Sequence, residues 1–290
     1  MSQPSEPREL SSTYFVQDRS SDEERKRVQM QDAMYTKRLG GVLPEQPEPI
    51  SFQRVIDIGC GTGGWLVEVA KTYPQIKLLI GADISHRMVE YARKLAHDEQ
   101  VDDRVEFHVM DALRMIEFPK HYFDLINQRL GLSYLRTWDW PNLFQKYQYA
   151  ARNGAVIRLT ESDVFGETNS PALTKLFALA REAFYRAGHM FTPERTGVTS
   201  ELPGLMQRTG FYDVEQRQIS LHYNMNTPEM EAFREDMKLT FRTIVPFLRK
   251  WTLLPENYEA LYQEALREMQ DPGFTADWDT VTVWGKNPPQ

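Results

Sequence analysis

The residues best equipped for chemistry lie in one stretch, Val55-Ile56-Asp57-Ile58-Gly59-Cys60-Gly61-Thr62-Gly63-Gly64-Trp65. A β-branched apolar run leads into a glycine-rich turn and then a helical sequence. Glycines in such a turn accept positive φ and let a ligand lie against bare backbone. The new helix aims unpaired N–H groups and its positive dipole end at the same point. Gly59, Gly61 and Gly64 fit G-x-G-x-x-G, a pyrophosphate-binding spacing. Gly59, Gly61 and Gly63, led by Asp57, fit D-x-G-x-G-x-G. A carboxylate at the strand tip suits a ligand ending in an ammonium and repels a pyrophosphate, so Asp57 favours the second pattern. Glycines alone also make tight turns that hold no ligand.

Two more acids narrow the choice. Asp83 ends the run KLLIGAD (77–83), where a carboxylate can accept from both ribose hydroxyls. Asp111 ends RVEFHVMD (104–111) and precedes Ala112 and Leu113. It can accept from an adenine amino group while the next backbone N–H addresses a ring nitrogen. Each acid alone reads equally as a cap or turn residue. Three at successive strand ends point to one ligand at the edge where open α/β sheets bind.

The elements that must position them alternate. Short apolar runs at 54–59, 77–83, 104–111, 122–128 and 155–161 read as strands, with helical stretches at 64–73, 85–97 and 141–151. That rhythm predicts right-handed crossovers and a mostly parallel sheet covered on both faces. Ahead of it lie a polar tail over 1–12, expected to be mobile, and a helix starting at Ser20 or Ser21 and ending at Gly40-Gly41. Beyond Glu161 come helices at 171–188, 200–209, 228–250 and 255–269 and strands at 211–221 and 280–286. Thr227 is the expected cap and Pro228 the first residue of the 228–250 helix, with Pro246 kinking or ending it.

Composition sets the outer bounds. The 290 residues carry 34 basic and 41 acidic side chains, net −7, and one cysteine. The acidic balance argues against a broad nucleic-acid surface. No Asn/Asp-Pro-Pro-Tyr/Phe signature follows the fourth strand, where the chain reads Asn127-Gln128-Arg129-Leu130. A lone cysteine excludes an internal disulfide and cysteine-rich metal sites, and no metal centre is expected. No apolar run of about 18 residues and no leader-like h-region occur, so a cytoplasmic protein without membrane partners is expected.

The chain resembles the class I S-adenosylmethionine-dependent methyltransferases. VIDIGCGTGGW (55–65), IGADIS (80–85), VEFHVMDA (105–112), FDLINQR (123–129) and the closing VTVWGK (281–286) carry the likeness. It is further similar to the methyltransferase-like proteins of fungal secondary metabolism and their bacterial relatives. That likeness rests on Arg27-Val28-Gln29-Met30-Gln31, Gly40-Gly41 and Asp139-Trp140-Pro141 with Phe144. Asp32 stands where those relatives usually have His, and Asn153-Gly154 where they have Gly-Gly. The resemblance implies a Rossmann-like, doubly wound, mostly parallel seven-stranded sheet with an N-terminal helical cap and helical lid insertions. Residues 1–50 would form the tail and cap and 51–165 the cofactor core. Residues 166–290 would complete the sheet, with acceptor-binding insertions at 166–209 and 223–277. The implied cofactor is S-adenosylmethionine, leaving as S-adenosylhomocysteine. Asp57, Gly59, Gly61 and Gly63 would line its methionine portion, with Cys60 as a small filler lending a backbone N–H. Asp83 and Ile84 would flank the ribose and adenine, and Asp111, Ala112 and Leu113 the adenine. Met88 would pack on the adenine or in helix core. Asn127, Gln128 and Arg129 would floor the methyl-transfer cleft.

The acceptor is read from composition. Residues 165–251 are rich in Phe, Tyr, Trp and Met, which suits a lid over a small apolar or aromatic molecule. Glu161, His189 and Tyr14 are the candidates for a proton acceptor, each with an ordinary structural alternative as cap, core histidine or packing tyrosine. A homodimer is compatible with the sequence. Two other functions stay open: a cofactor-binding regulator without acceptor chemistry, and a nicotinamide-dependent oxidoreductase built on Gly59, Gly61 and Gly64.

Overall fold

The computed structural model describes residues 12–16 and 21–289, so the expectation of a mobile 1–12 tail falls, Ser12 apart, outside the described residues. Helix α1 (Asp22–Arg38) begins where the Ser21 side chain accepts from the Glu23 N–H, and three acids in its first turn complement the dipole. Strand β1 (Arg54–Ile58), helix α2 (Gly64–Thr72), strand β2 (Leu78–Asp83), helix α3 (His86–Asp98) and strand β3 (Val105–Val109) follow in βα alternation. Ser85 caps α3 as expected, its hydroxyl accepting from the Met88 N–H. Then come β4 (Phe123–Arg129), a 3₁₀ turn at Gly131–Ser133, α4 (Asp139–Ala150) and β5 (Ala151–Ser162). The remainder is β6 (Glu167–Thr168), α5 (Pro171–Arg186), α6 (Leu202–Arg208), β7 (Tyr212–Asn224), α7 (Met230–Thr243), α8 (Val245–Trp251), α9 (Tyr258–Glu268) and β8 (Thr275–Lys286).

The sheet runs β3-β2-β1-β4-β5-β8, with β7 on the far side of β8 and the two-residue β6 pairing the start of β8. The β1–β5 pairs are parallel, and β8 is antiparallel to both β5 and β7. This is the expected seven-stranded architecture with one short strand added. Strand β1 is central, and its apolar residues Val55, Ile56 and Ile58 are buried, which is why it reads as a continuous apolar run.

The expected break of the 228–250 helix at Pro246 is present, while Thr227, Pro228 (α7 starts at Met230) and the start of the last strand depart from expectation. The 228–250 helix is two helices broken at Ile244, with Pro246 in the first turn of α8, where its missing N–H costs nothing. Thr227 is not the cap. Its hydroxyl accepts from the Asn224 N–H and closes a turn, and Glu229 holds the cap position of α7. Strand β8 starts five residues earlier than its apolar pattern because β6 and β7 supply ladder partners there.

Candidate active site

The glycine turn hangs from β2. The N–H groups of Gly59 and Cys60 both donate to the Ala82 carbonyl, at 2.8 and 3.0 Å. Gly59, Gly61 and Gly63 have φ of +70°, +52° and +76°, a region that penalises any Cβ. A Cβ at Gly59 would stand 2.6 Å from the Tyr134 hydroxyl, and one at Gly63 equally close to the Phe107 ring. The turn is therefore shaped by backbone alone. Gly64 is different: the Cβ it lacks would collide with the Asp32 carboxylate. The third glycine of the dinucleotide pattern thus makes room for a side chain of this chain, the Asp32 carboxylate paired with Arg129, where that pattern would bring a pyrophosphate close.

The three acids meet at one edge, around a cleft of about 780 Å³. Asp57 is buried; Asn127 donates to it at 2.7 Å, and burial pushes its carboxyl up to about 7. Asp83 accepts from the Gly61 N–H at 2.9 Å and the Ser85 N–H at 2.8 Å, tying the turn to the cap of α3. Asp111 accepts from the N–H groups of Leu113 and Arg114, which turns the chain after β3. Ile84, Met88, Ala112 and Leu113 line the same cleft.

Other expected residues land elsewhere. The Cys60 side chain lines the cleft, but its N–H is spent on Ala82, and burial pushes the thiol well up. Arg129 reaches the cleft, paired with Asp32, bonded to the Thr36 hydroxyl at 3.2 Å and lying over Trp65. Asn127 and Gln128 do not line it. Asn127 joins Asp57 to the buried Arg158–Glu45 pair. Gln128 alternates to the other face of β4, where the Tyr147 hydroxyl donates to it.

The three proton-acceptor candidates separate cleanly. Glu161 is fully buried, accepts from the Gly131 and Leu132 N–H groups at 2.5 and 3.3 Å, and does not line the cleft. Burial pushes it up to about 8. Tyr14 lines the cleft, but its hydroxyl donates to Glu24 and accepts from Arg27, and burial pushes it well above the usual phenol value. His189 lines the cleft with Nδ1 2.8 Å from the Leu132 carbonyl, between the rings of Phe184 and Phe247. Burial drives it down to about 4, so the imidazole is uncharged at neutral pH.

The sequence did not single out Tyr134, Arg136 or Lys250, and it carried Phe247 only within the aromatic-rich 165–251 stretch and Leu130 only within Asn127-Gln128-Arg129-Leu130; all five line the cleft. Leu130 has φ of +53°, a strained backbone for a branched residue. Behind it a side chamber of about 100 Å³ is walled by Phe165, Tyr223, Phe233 and Trp278 and shares Tyr14, Gln31 and Tyr35 with the main cleft. Helix α1 spans both halves. Its Asp32 faces Gly64 and Arg129, while its Arg27 binds Glu24 at 2.7 Å and Asp236 of α7 at 3.2 Å, all buried.

Residues 55–154 match the family model described as a methyltransferase domain. Aklanonic acid methyltransferase DauC of Streptomyces sp. (strain C5) is 32% identical over 139 residues, 48% of this chain and 61% of that protein. The secondary metabolism regulator laeA of Aspergillus fumisynnematus is 24% identical over 208 residues, 70% of this chain and 52% of that protein. The chain spans less than two thirds of the length of the curated relatives it matches. Among solved structures, Haemonchus contortus phosphoethanolamine N-methyltransferase 2 superposes with a TM-score of 0.54 at 19% identity, covering 97% of this chain and 61% of that one. That likeness speaks to the fold.

Proposed function

We propose that this chain, which belongs to the class I S-adenosylmethionine-dependent methyltransferases, moves a methyl group from S-adenosylmethionine to a small-molecule acceptor. The cleft supports this cofactor through its donor set: a turn that only glycines fit, and acids at three strand ends matching an ammonium, a ribose and an adenine. When bound, the cofactor supplies an already activated sulfonium methyl. Asp57, steadied by Asn127, takes the ammonium. Asp83 and Asp111 take the ribose and adenine, with Ile84 and Met88 on the ring faces. Tyr134 and Leu130 wall the cleft beside the turn, and the His189, Phe247 and Trp251 side excludes water and aligns the acceptor. His189 receives the acceptor's proton where there is one, because it alone of the three candidates lines the cleft with an uncharged imidazole.

The observation that carries the reading is the continuity of that space, from the acid-tipped strand ends to the helices inserted after β5 and β7. An open acceptor space also favours a transferase over a regulator that only holds the cofactor. Equilibrium binding is the test, with S-adenosylhomocysteine and NAD as ligands. Micromolar or tighter binding of the first and none of the second is expected, and the reverse would overturn the reading. With an acceptor found by labelled-methyl screening of phenols, amines and acids, His189→Gln is expected to lower kcat by at least about a hundredfold and leave S-adenosylhomocysteine affinity unchanged.

A further inference from the structure

Charge is divided across the cleft. Its four carboxylates, Asp32, Asp57, Asp83 and Asp111, belong to the helix and strand ends around the glycine turn. The other wall has none among the described residues. It is built from Arg136 in the loop after β4, His189 after α5, and Phe247, Lys250 and Trp251 of α8. The Phe247 ring lies edge-on to His189 at 6.0 Å, and the Arg136 charge is among the influences that depress the His189 imidazole, so these side chains are neighbours.

Among the described residues, three cations line the cleft. Arg129 is neutralised by Asp32. The Arg136 guanidinium and the Lys250 ammonium have no carboxylate partner among the described residues, the Asp139 carboxylate accepting instead from the Arg136 backbone N–H at 2.9 Å, and Arg136 Nε is buried without a hydrogen-bond partner. Each is instead laid over an indole: Arg136 over Trp138 and Lys250 over Trp251, both at 5.4 Å. A buried guanidinium N–H left unbonded is costly, and this chain has an excess of acids with which to pair it. Two cations kept unpaired at one end of an open cleft are arranged for an anion that arrives from outside.

We infer that the acceptor carries an anionic group, a carboxylate or a phosphate monoester, which Arg136 and Lys250 hold against the wall opposite the cofactor acids. This deepens the methyltransferase reading and rests on it. Held there, the molecule points its other end toward the sheet edge. The cofactor's own carboxylate belongs with its ammonium at the glycine turn, across the cleft from the pair.

The test uses the full chain saturated with S-adenosylhomocysteine. Benzoate and phenyl phosphate serve as anionic probes of the two sources and benzamide as the neutral match, read by calorimetry and by tryptophan fluorescence, which reports from Trp138 and Trp251. At least one anion is expected to bind about tenfold or more tighter than benzamide. In Arg136→Gln/Lys250→Gln that preference should fall below about twofold, with S-adenosylhomocysteine affinity unchanged. Lys250 is exposed, so Lys250→Gln alone leaves the fold intact and should cut the preference about threefold. An anion bound no better than benzamide, no binding of any probe, or a preference that survives the double variant overturns the inference. Loss of S-adenosylhomocysteine affinity in the double variant also overturns it, by assigning the cations to the cofactor. Failure of the unaltered chain to bind S-adenosylhomocysteine instead sinks the methyltransferase reading, and this inference with it.

Discussion

The two halves of the cleft are made of different material. On the cofactor side the surface is backbone: a turn of three left-handed glycines hung from the Ala82 carbonyl and held by Asp83. On the acceptor side it is side chain: aromatic rings, His189 after α5, Arg136 from the loop after β4 and Lys250 from α8. A backbone surface is fixed by where residues fall along the chain, so it serves one ligand. A side-chain surface changes with each substitution and can be retuned without disturbing the sheet. Helix α1 joins the halves, with a carboxylate at the turn and a guanidinium under α7.

That join is where the largest effect is expected. Among the described residues, Arg27 is the one cationic partner of Glu24 and Asp236, all three buried. Arg27→Met would strand two carboxylates out of water and cost about 3–5 kcal/mol, read as a fall in the midpoint of denaturant unfolding. Adding Glu24→Gln and Asp236→Asn should recover most of the loss. No recovery would mean that shape rather than charge holds α1 to α7.

Next comes the backbone side. Gly63→Ala forces a left-handed residue into contact with Phe107 and Ala92 and should cost about 2–4 kcal/mol. No charge change will restore it, and S-adenosylhomocysteine binding should fall with it. A variant that binds normally would break the contrast between the halves.

Asp57 tests the electrostatics of the same side. Burial raises its carboxyl from 3.8 to about 7, whereas a ligand ammonium pairs with the ionised form. Below pH 7 each unit therefore adds about 1.4 kcal/mol to the cost of ionising it for binding. S-adenosylhomocysteine affinity should rise about tenfold per unit up to pH 7 and then level. Asp57→Asn should bind about 10–100-fold more weakly at pH 8, with this slope gone. A flat profile in the unaltered chain would separate Asp57 from the ammonium.

The halves also differ in how far they could be read beforehand. The alternation of strands and helices, the three acids and the glycines were legible because each depends on local pattern: apolar run, turn, helix start. The side-chain wall was legible only as an aromatic and methionine-rich composition over 165–251. Phe247 and Lys250 lie far along the chain from the strand ends they face, and Arg136 sits in a loop with no periodicity. Asn127 and Gln128 show the limit of reading a strand as a unit. Neighbours on β4 point to opposite faces, and only Arg129 at the strand's end reaches the cleft. Asp32 was noticed only as a departure from relatives; its work depends on Gly64 and Arg129, which no local pattern connects.

Glu161 marks the boundary between the halves, and near pH 5 its predicted effect is the smallest. Its two carboxyl oxygens each accept from one backbone N–H, and an amide oxygen would keep only the shorter of these bonds, the one from Gly131, so Glu161→Gln should cost about 1 kcal/mol near pH 5. The pH dependence has a definite sign. The folded chain holds this carboxyl at about 8 against an ordinary 4.5, so folding favours the protonated form. The unaltered chain should therefore lose stability relative to the variant as pH rises from about 4.5 to 8, and the gap should stay constant above that. Thermal or denaturant midpoints across that range measure it. Turnover should not change, because the carboxyl does not line the cleft. A large fall in kcat with stability intact would move Glu161 into the reacting space, and the acceptor side would then begin at β5 rather than at the inserted helices.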